Sequence, residues 1–242
     1  MGCIALREAP TIYLARHGQT EWNVAGRLQG GQDSPLTHQG KRQAEAIATS
    51  LKGVKPTSIL SSPLGRASKT ADIIAKTLGI PFEEDTRLGE LRFGEAEGLT
   101  LSEIDEAWPE FLEQRDREKW HVPWPDGESY ADASERIQAF IEDLLTPRLA
   151  EDSSSPLLIV AHETINKVLI GHLLQLARSV ITDLGQPNHV LYRLKAMEVD
   201  HAYLGDDVLD WIPGLLQKRS DDIVHIASEA PPSKQSDLRR HG

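Results

Sequence analysis

Short apolar runs alternate with longer amphipathic stretches along most of this chain. TIYLA, from Thr11 to Ala15, is β-branched and aromatic and predicts a strand. A polar, glycine-rich loop follows through Leu36. In THQGKRQAEAIATSL the apolar positions Ala44, Ile47, Ala48 and Leu51 recur at helical spacing, with Thr37 as N-cap. TSILSS predicts a second strand. Ser62 and Pro63 open a helix, since proline suits the first helical position, and Gly79 closes it after Leu78. IPFEEDTRL reads as a weaker strand running into a loop, and Thr100 with Glu103 makes a capping box for a short helix.

From Trp108 to Asp126 three tryptophans and three prolines sit among many charges, which suits a lid or pocket wall better than a regular element. SYADASERIQAFIEDLL is an amphipathic helix and EDSSSP a turn. LLIVA, Leu157 to Ala161, is apolar throughout and predicts a strand buried on both faces. A helix over about Thr164 to Leu176 and a strand at HVLYRL complete the pattern. It implies an α/β fold in three layers, a mostly parallel central sheet with helices on both faces. It fits one domain over residues 1–229, and residues 230–242 read as a polar, disordered tail.

The formal net charge of −11 argues against nucleic acid or an anionic membrane as a bulk partner, but not against a small anion in a local basic pocket. The only cysteine, Cys3, allows no intrachain disulfide, so a reducing, cytoplasmic setting is expected. No apolar run is long enough to span a bilayer. The start, MGCIALREAP, has no basic leader before an apolar core, and Leu6 stands where a myristoylation signal prefers Ser or Thr; neither signal is expected. The histidines and the cysteine lack zinc-ligand spacing, so a dedicated zinc site is not expected.

In sheets of this kind ligands bind beyond the carboxyl ends of the strands. That rule selects Arg16-His17-Gly18, the stretch Ser61 to Arg66, and His162. Together they offer two forked guanidiniums suited to phosphate, one of them, Arg66, in the first turn of a helix where free N–H groups favour an anion. A neutral imidazole can attack phosphorus, and the leaving alkoxide then needs a proton from a nearby acid. GELRFGEAEG offers Glu90, Glu95 and Glu97, and position after the third strand favours Glu90.

RHGQTEWN, GRLQGGQDSPLT, SSPLGRASKTA, LGELRFGEAEG and VAH occur in the order seen in the histidine phosphatase superfamily, and the chain resembles that family over about Thr11 to Leu194. The resemblance implies the phosphoglycerate-mutase-like fold, His17 as the nucleophile that becomes phosphohistidine, and Glu90 as proton donor and later base. It implies a phosphate pocket of Arg16, Arg66 and His162, with Asn23, Gln29 and Gly30 touching phosphate or leaving group. The implied activity is hydrolysis of a small phosphate ester with no metal and no organic cofactor. The family includes monomers, dimers and tetramers, so a homodimer is compatible. One residue departs from the pattern: relatives commonly carry glycine after the second histidine, and this chain has Glu163. Its carboxylate is expected either to point away from the pocket or to meet a cationic or hydroxyl group of the substrate. A bisphosphoglycerate-dependent mutase and a non-catalytic phosphate-binding protein are the rival readings; the short distance from Gly98 to the Trp/Pro segment speaks against the first.

Overall fold

Central strands buried on both faces build the protein around one main sheet. In the computed structural model, which describes residues 10–152, 154–205, 209–219 and 222–226, the strands are β1 (Ile12–Arg16), β2 (Ser58–Ser61), β3 (Phe82–Glu84), β4 (Leu157–Ala161), β5 (Val190–Lys195), β6 (Glu198–Tyr203) and β7 (Ile212–Pro213). They lie in the order β3-β2-β4-β1-β5-β6-β7. β1 to β4 run parallel, and β5 returns antiparallel beside β1. A separate pair, β8 (Leu215–Arg219) and β9 (Asp222–Ile226), forms a small second sheet.

The helices are α1 (Glu21–Val24), α2 (His38–Leu51), α3 (Gly65–Leu78), α4 (Leu101–Ala107), α5 (Phe111–Arg117), α6 (Tyr130–Phe140), α7 (Thr146–Glu151), α8 (Glu163–Leu174) and α9 (Arg178–Asp183). Successive strand residues point to opposite faces. Tyr13, Ala15, Ile59, Leu158 and Val160 pack against Ala44, Ile47, Ala48 and Leu51 of α2 and Ala67, Ala71 and Ile74 of α3. Ile12, Leu14, Leu60, Ile159 and Ala161 pack on the other side, against Ala133, Ile137 and Phe140 of α6 and Ile165, Val168 and Leu169 of α8. The expected three layers are therefore present, with β4 buried along its whole length.

Several local expectations need correction. α3 begins at Gly65, not Pro63, because its cap comes from across the fold: Asp33 Oδ2 accepts the Gly65 N–H at 2.5 Å and Oδ1 the Arg66 N–H at 3.1 Å. The loop after β1 contains α1, closed by a Thr20–Asn23 capping box. The Trp/Pro segment contains a regular helix, α5. The helix from Ser129 passes through a π-helical stretch, Ile141–Leu145, into α7, so the turn begins only after Glu151. The sequence pattern does not anticipate β6 to β9 or α9. Gly79 does close α3, at φ 69°. Cys3, Leu6 and the expected tail at 230–242 lie outside the described residues.

Gly18 and Gly40 let the loop after β1 lie against the start of α2. A Cβ on Gly18 would stand 2.3 Å from the Gly40 carbonyl oxygen, and one on Gly40 would stand 2.1 Å from that of Gln19. Overpacking of this kind costs about 1–3 kcal/mol. Gly40→Ala is expected to lose at least that much in urea denaturation, whereas Gly53→Ala, which meets nothing within 4 Å, should not lose stability. Equal midpoints for the two variants would refute the close-approach argument.

Candidate active site

The register of the parallel strands sets the site. Arg16 pairs with Ala161 across β1 and β4, so the next residues, His17 and His162, emerge side by side. His17 N–H bonds the Ala161 carbonyl at 3.0 Å, and the two ring centroids are 5.2 Å apart. β2 lies on the other side of β4 and delivers Ser62, whose Oγ is 2.8 Å from His162 Nε2.

His17 is 2 % exposed, and its Nδ1 lies 2.8 Å from its neighbour's carbonyl, Gly18 O. A carbonyl can only accept, so Nδ1 carries the proton and Nε2 keeps its lone pair. Burial holds the imidazole well below its usual pKa, with the charges of Arg16 and Arg66 adding to the effect. His162 is fully buried and is likewise held well below its usual pKa, by burial and then by Arg66 and His17. Ser62 Oγ accepts the Leu64 N–H at 3.2 Å and is hydrogen-bonded to His162 Nε2. His162 Nδ1 is buried with no partner among the described residues.

The surrounding backbone is held rigidly. Asn188 Nδ2 donates to the His17 carbonyl at 2.7 Å, and Gly18 N–H donates to Thr70 Oγ1 at 3.0 Å. Asn166 and Gln186 tie down the Ala15 and Leu14 carbonyls beneath them.

A cavity of about 950 Å³ opens over this frame. Arg16, His17, Asn23, Gln29, Gly30, Arg66, Glu90 and Glu163 all line it, so the structure brings together every candidate except His162, which is buried beside His17. Arg66 is 2 % exposed; its two terminal nitrogens hold the carbonyls of Gln32 and Gly30 and the Asp33 carboxylate, while Nε stays buried and unpartnered. Gly30 adopts φ +55°, and a Cβ there would collide with Glu97 Oε1 at 2.2 Å. Asn23 spends its Oδ1 on the Thr20 cap, which leaves its amide nitrogen for a ligand. Glu90 Oε1 accepts the Leu91 N–H, yet burial raises its pKa above the ordinary value of 4.5, with Arg66 and Arg16 opposing.

Glu163 lines the cavity rather than pointing away from it, and it is paired within the protein. Its Oε2 takes Arg16 Nη1 at 2.7 Å and its Oε1 takes Lys167 Nζ at 3.0 Å. Burial pulls Lys167 down, but Glu163, by charge and hydrogen bond, more than restores it, so Lys167 stays protonated. The Glu163/Lys167 spacing of four is the helical ion-pair rule and is readable in the sequence. Nothing in the sequence singles out Asp33, Thr70, Gln186 or Asn188, because their partners lie in distant segments. Ser62 reads there only as a helix start.

The fold and cavity define an α/β protein with a neutral imidazole pair set in an arginine-bearing anion pocket. The family model for the histidine phosphatase superfamily (branch 1) matches residues 12–203, and the chain belongs to that family and to its phosphatase class of enzymes. The protein named probable phosphoglycerate mutase GpmB from Escherichia coli O1:K1 / APEC is 33% identical over 220 residues, covering 90% of this chain and 96% of its own. Its namesake from Proteus mirabilis (strain HI4320) is 34% identical over 223 residues, with 90% and 96% covered. Among solved structures, a mycobacterial glucosyl-3-phosphoglycerate phosphatase complexed with VO3 superposes with TM-score 0.68 and 30% identity, over 86% of this chain and 98% of its own. The alpha-ribazole phosphatase of Shigella flexneri, at 24% identity, shares the fold, with TM-score 0.71 over 83% and 98% of the two chains. Among the described residues no helix is long and apolar enough to cross a membrane.

Glu163 engages Arg16 Nη1 and places a carboxylate on the cavity wall, where it competes with an anion for that arginine. Glu163→Gln is therefore expected to tighten binding of inorganic phosphate about three- to tenfold, the scale of a partly exposed ion pair. Unchanged or weaker binding by calorimetry would show that the carboxylate helps to assemble the pocket.

Proposed function

We propose that the protein is a metal-independent phosphomonoesterase that hydrolyses a small phosphorylated metabolite in the cytoplasm through a phosphohistidine at His17. The observation that carries this reading is the His17 Nδ1–Gly18 carbonyl contact, which leaves Nε2 as an unprotonated nucleophile at the cavity wall. Arg16, Arg66 and the Asn23 amide bind the phosphoryl oxygens. Nε2 forms a bond to phosphorus as the bond to the ester oxygen breaks, and protonated Glu90 gives its proton to the leaving alkoxide. His162 Nδ1–H stabilises the equatorial oxygens during transfer. Glu90, now a carboxylate, takes a proton from water, which attacks phosphorus and releases phosphate and a regenerated imidazole. The positive charge in this scheme comes from guanidiniums, so turnover does not require a bound cation.

The mutase reading draws support from the names of the curated relatives. It differs only in the acceptor, another substrate hydroxyl in place of water. A mutase requires added bisphosphoglycerate for turnover, and a phosphatase does not.

Hydrolysis of p-nitrophenyl phosphate should proceed in excess EDTA and vanish in His17→Ala. The pH profile follows from the two shifted groups. His17 is below 6.5 and must be neutral, and Glu90 is above 4.5 and must be protonated. Activity therefore falls on the acid side as His17 and the substrate dianion, whose pKa is about 6, take up protons. It falls on the alkaline side as Glu90 ionises. Glu90→Gln should lower kcat by about 10²–10⁴ and abolish that alkaline limb. An alkaline limb that persists in Glu90→Gln would remove Glu90 from the role.

A further inference from the structure

Glu90 opens a stretch, Glu90 to Phe93, with no regular secondary structure, set between short 3-10 turns that end at Leu88 and begin at Gly94. A proton donor must nevertheless stand within hydrogen-bond reach of the leaving oxygen. No strand ladder or helix fixes this backbone, and two side chains at the start of α6 hold it instead. Arg136 Nη1 donates to the Arg87 carbonyl at 2.5 Å, and Nη2 donates to the Glu90 carbonyl at 3.1 Å. The same Nη2 meets Glu128 Oε2 at 3.2 Å, and that oxygen accepts the Arg92 N–H at 3.0 Å. The Glu128 N–H donates in turn to the Arg92 carbonyl at 2.8 Å. One ion pair therefore grips the chain on both sides of Glu90.

Neither Glu128 nor Arg136 lines the cavity. Their side chains are only 10 % and 20 % exposed. A buried ion pair is a weak source of stability, but its charge-assisted bonds impose a definite geometry. The planar fork of Arg136 spans two carbonyls and a carboxylate at once, which the compact ammonium of a lysine cannot do. The clamp is itself anchored: Glu128 precedes Ser129, whose capping box with Asp132 starts α6, and α6 packs on the core through Ala133, Ile137 and Phe140.

We propose that the Glu128–Arg136 pair positions Glu90 for proton donation to the leaving group. This rests on the phosphomonoesterase reading and deepens it. Glu90 is the catalytic residue; Glu128 and Arg136 are positioning residues that act through its backbone.

The test measures kcat/KM for phosphate monoesters whose leaving groups rise in basicity from p-nitrophenol through phenol to ethanol. Nitrophenolate needs the donated proton least and ethoxide needs it most. Arg136→Lys keeps the charge but not the fork. It should lose about ten- to a hundredfold on the ethyl ester, the scale of a misplaced catalytic group, and less than about threefold on the nitrophenyl ester. The paired variant Glu128→Leu/Arg136→Met leaves no buried charge unpaired and should show the same trend. Glu90→Gln sets the limit of the leaving-group dependence. Carbon-13 NMR of the Glu90 carboxyl reads its placement without turnover: its pKa, above 4.5 in wild type, should move toward 4.5 in Arg136→Lys. A steep dependence in Glu90→Gln beside a wild-type dependence in Arg136→Lys and the paired variant overturns the positioning role and leaves the phosphatase reading standing. A wild-type dependence in Glu90→Gln removes Glu90 as proton donor, and the positioning role with it. If wild type hydrolyses none of the esters but the Glu90 titration moves in Arg136→Lys, the phosphatase reading fails and the clamp on Glu90 stands. Lower thermal stability of the variants with dependence and titration both unchanged assigns the pair to stability alone and overturns the proposal.

Discussion

A neutral imidazole held among cations is the constraint on which the site depends. Protonated, His17 would have no lone pair at Nε2 and would stand as a third buried positive charge beside Arg16 and Arg66. Burial of the ring opposes protonation, with the charges of Arg16 and Arg66 adding to the effect, while the Nδ1–H bond to the Gly18 carbonyl fixes the tautomer and by itself favours the charged ring. That carbonyl is available because the loop turns sharply after β1, and it can do so only because Gly18 and Gly40 leave room for each other's backbone. At His162 the engaged nitrogen is instead Nε2, which meets the Ser62 hydroxyl, and Nδ1 has no partner among the described residues.

The arginines need a second set of constraints. Arg66 is fastened to the loop of Gln32 and Asp33 and to the Gly30 carbonyl, and the same Asp33 caps α3. One carboxylate therefore fixes both the helix and the guanidinium it carries. Arg16 is shared between the Gln186 carbonyl and Glu163, and Glu163 also holds Lys167. On a chain of net charge −11, pairing cations with carboxylates is the ordinary outcome. Arg115 of α5, buried with its guanidinium 4.4 Å from the Trp124 ring centroid and in no ion pair among the described residues, is the departure from it.

Much of this is legible in the sequence, and for identifiable reasons. Apolar runs end at Arg16, Ser61 and Ala161, and the rule that ligands sit beyond parallel strand ends brings His17, Arg66 and His162 together from sequence alone. The start of α3 is misplaced by local capping rules, which see only neighbours, because its cap comes from a residue 32 positions away. Gln186 and Asn188 carry no signal of their own. Only the antiparallel return of β5 beside β1 lays their loop against the Leu14–His17 backbone. Glu163 stands out in the sequence as a departure from the resembled pattern, and the fold supplies its ion-pair partners, Arg16 and Lys167. α5 is hidden inside a stretch rich in tryptophan and proline, and Arg115 with it.

The central claim is that His17 is neutral, with its proton on Nδ1 and its lone pair on Nε2. Nitrogen-15 NMR of imidazole-labelled protein measures both properties during a pH titration. The account predicts an Nδ1–H tautomer for His17 that persists as pH falls through 6.5, with protonation only well below that value. A doubly protonated His17 at neutral pH, or a neutral ring with the proton on Nε2, would contradict it.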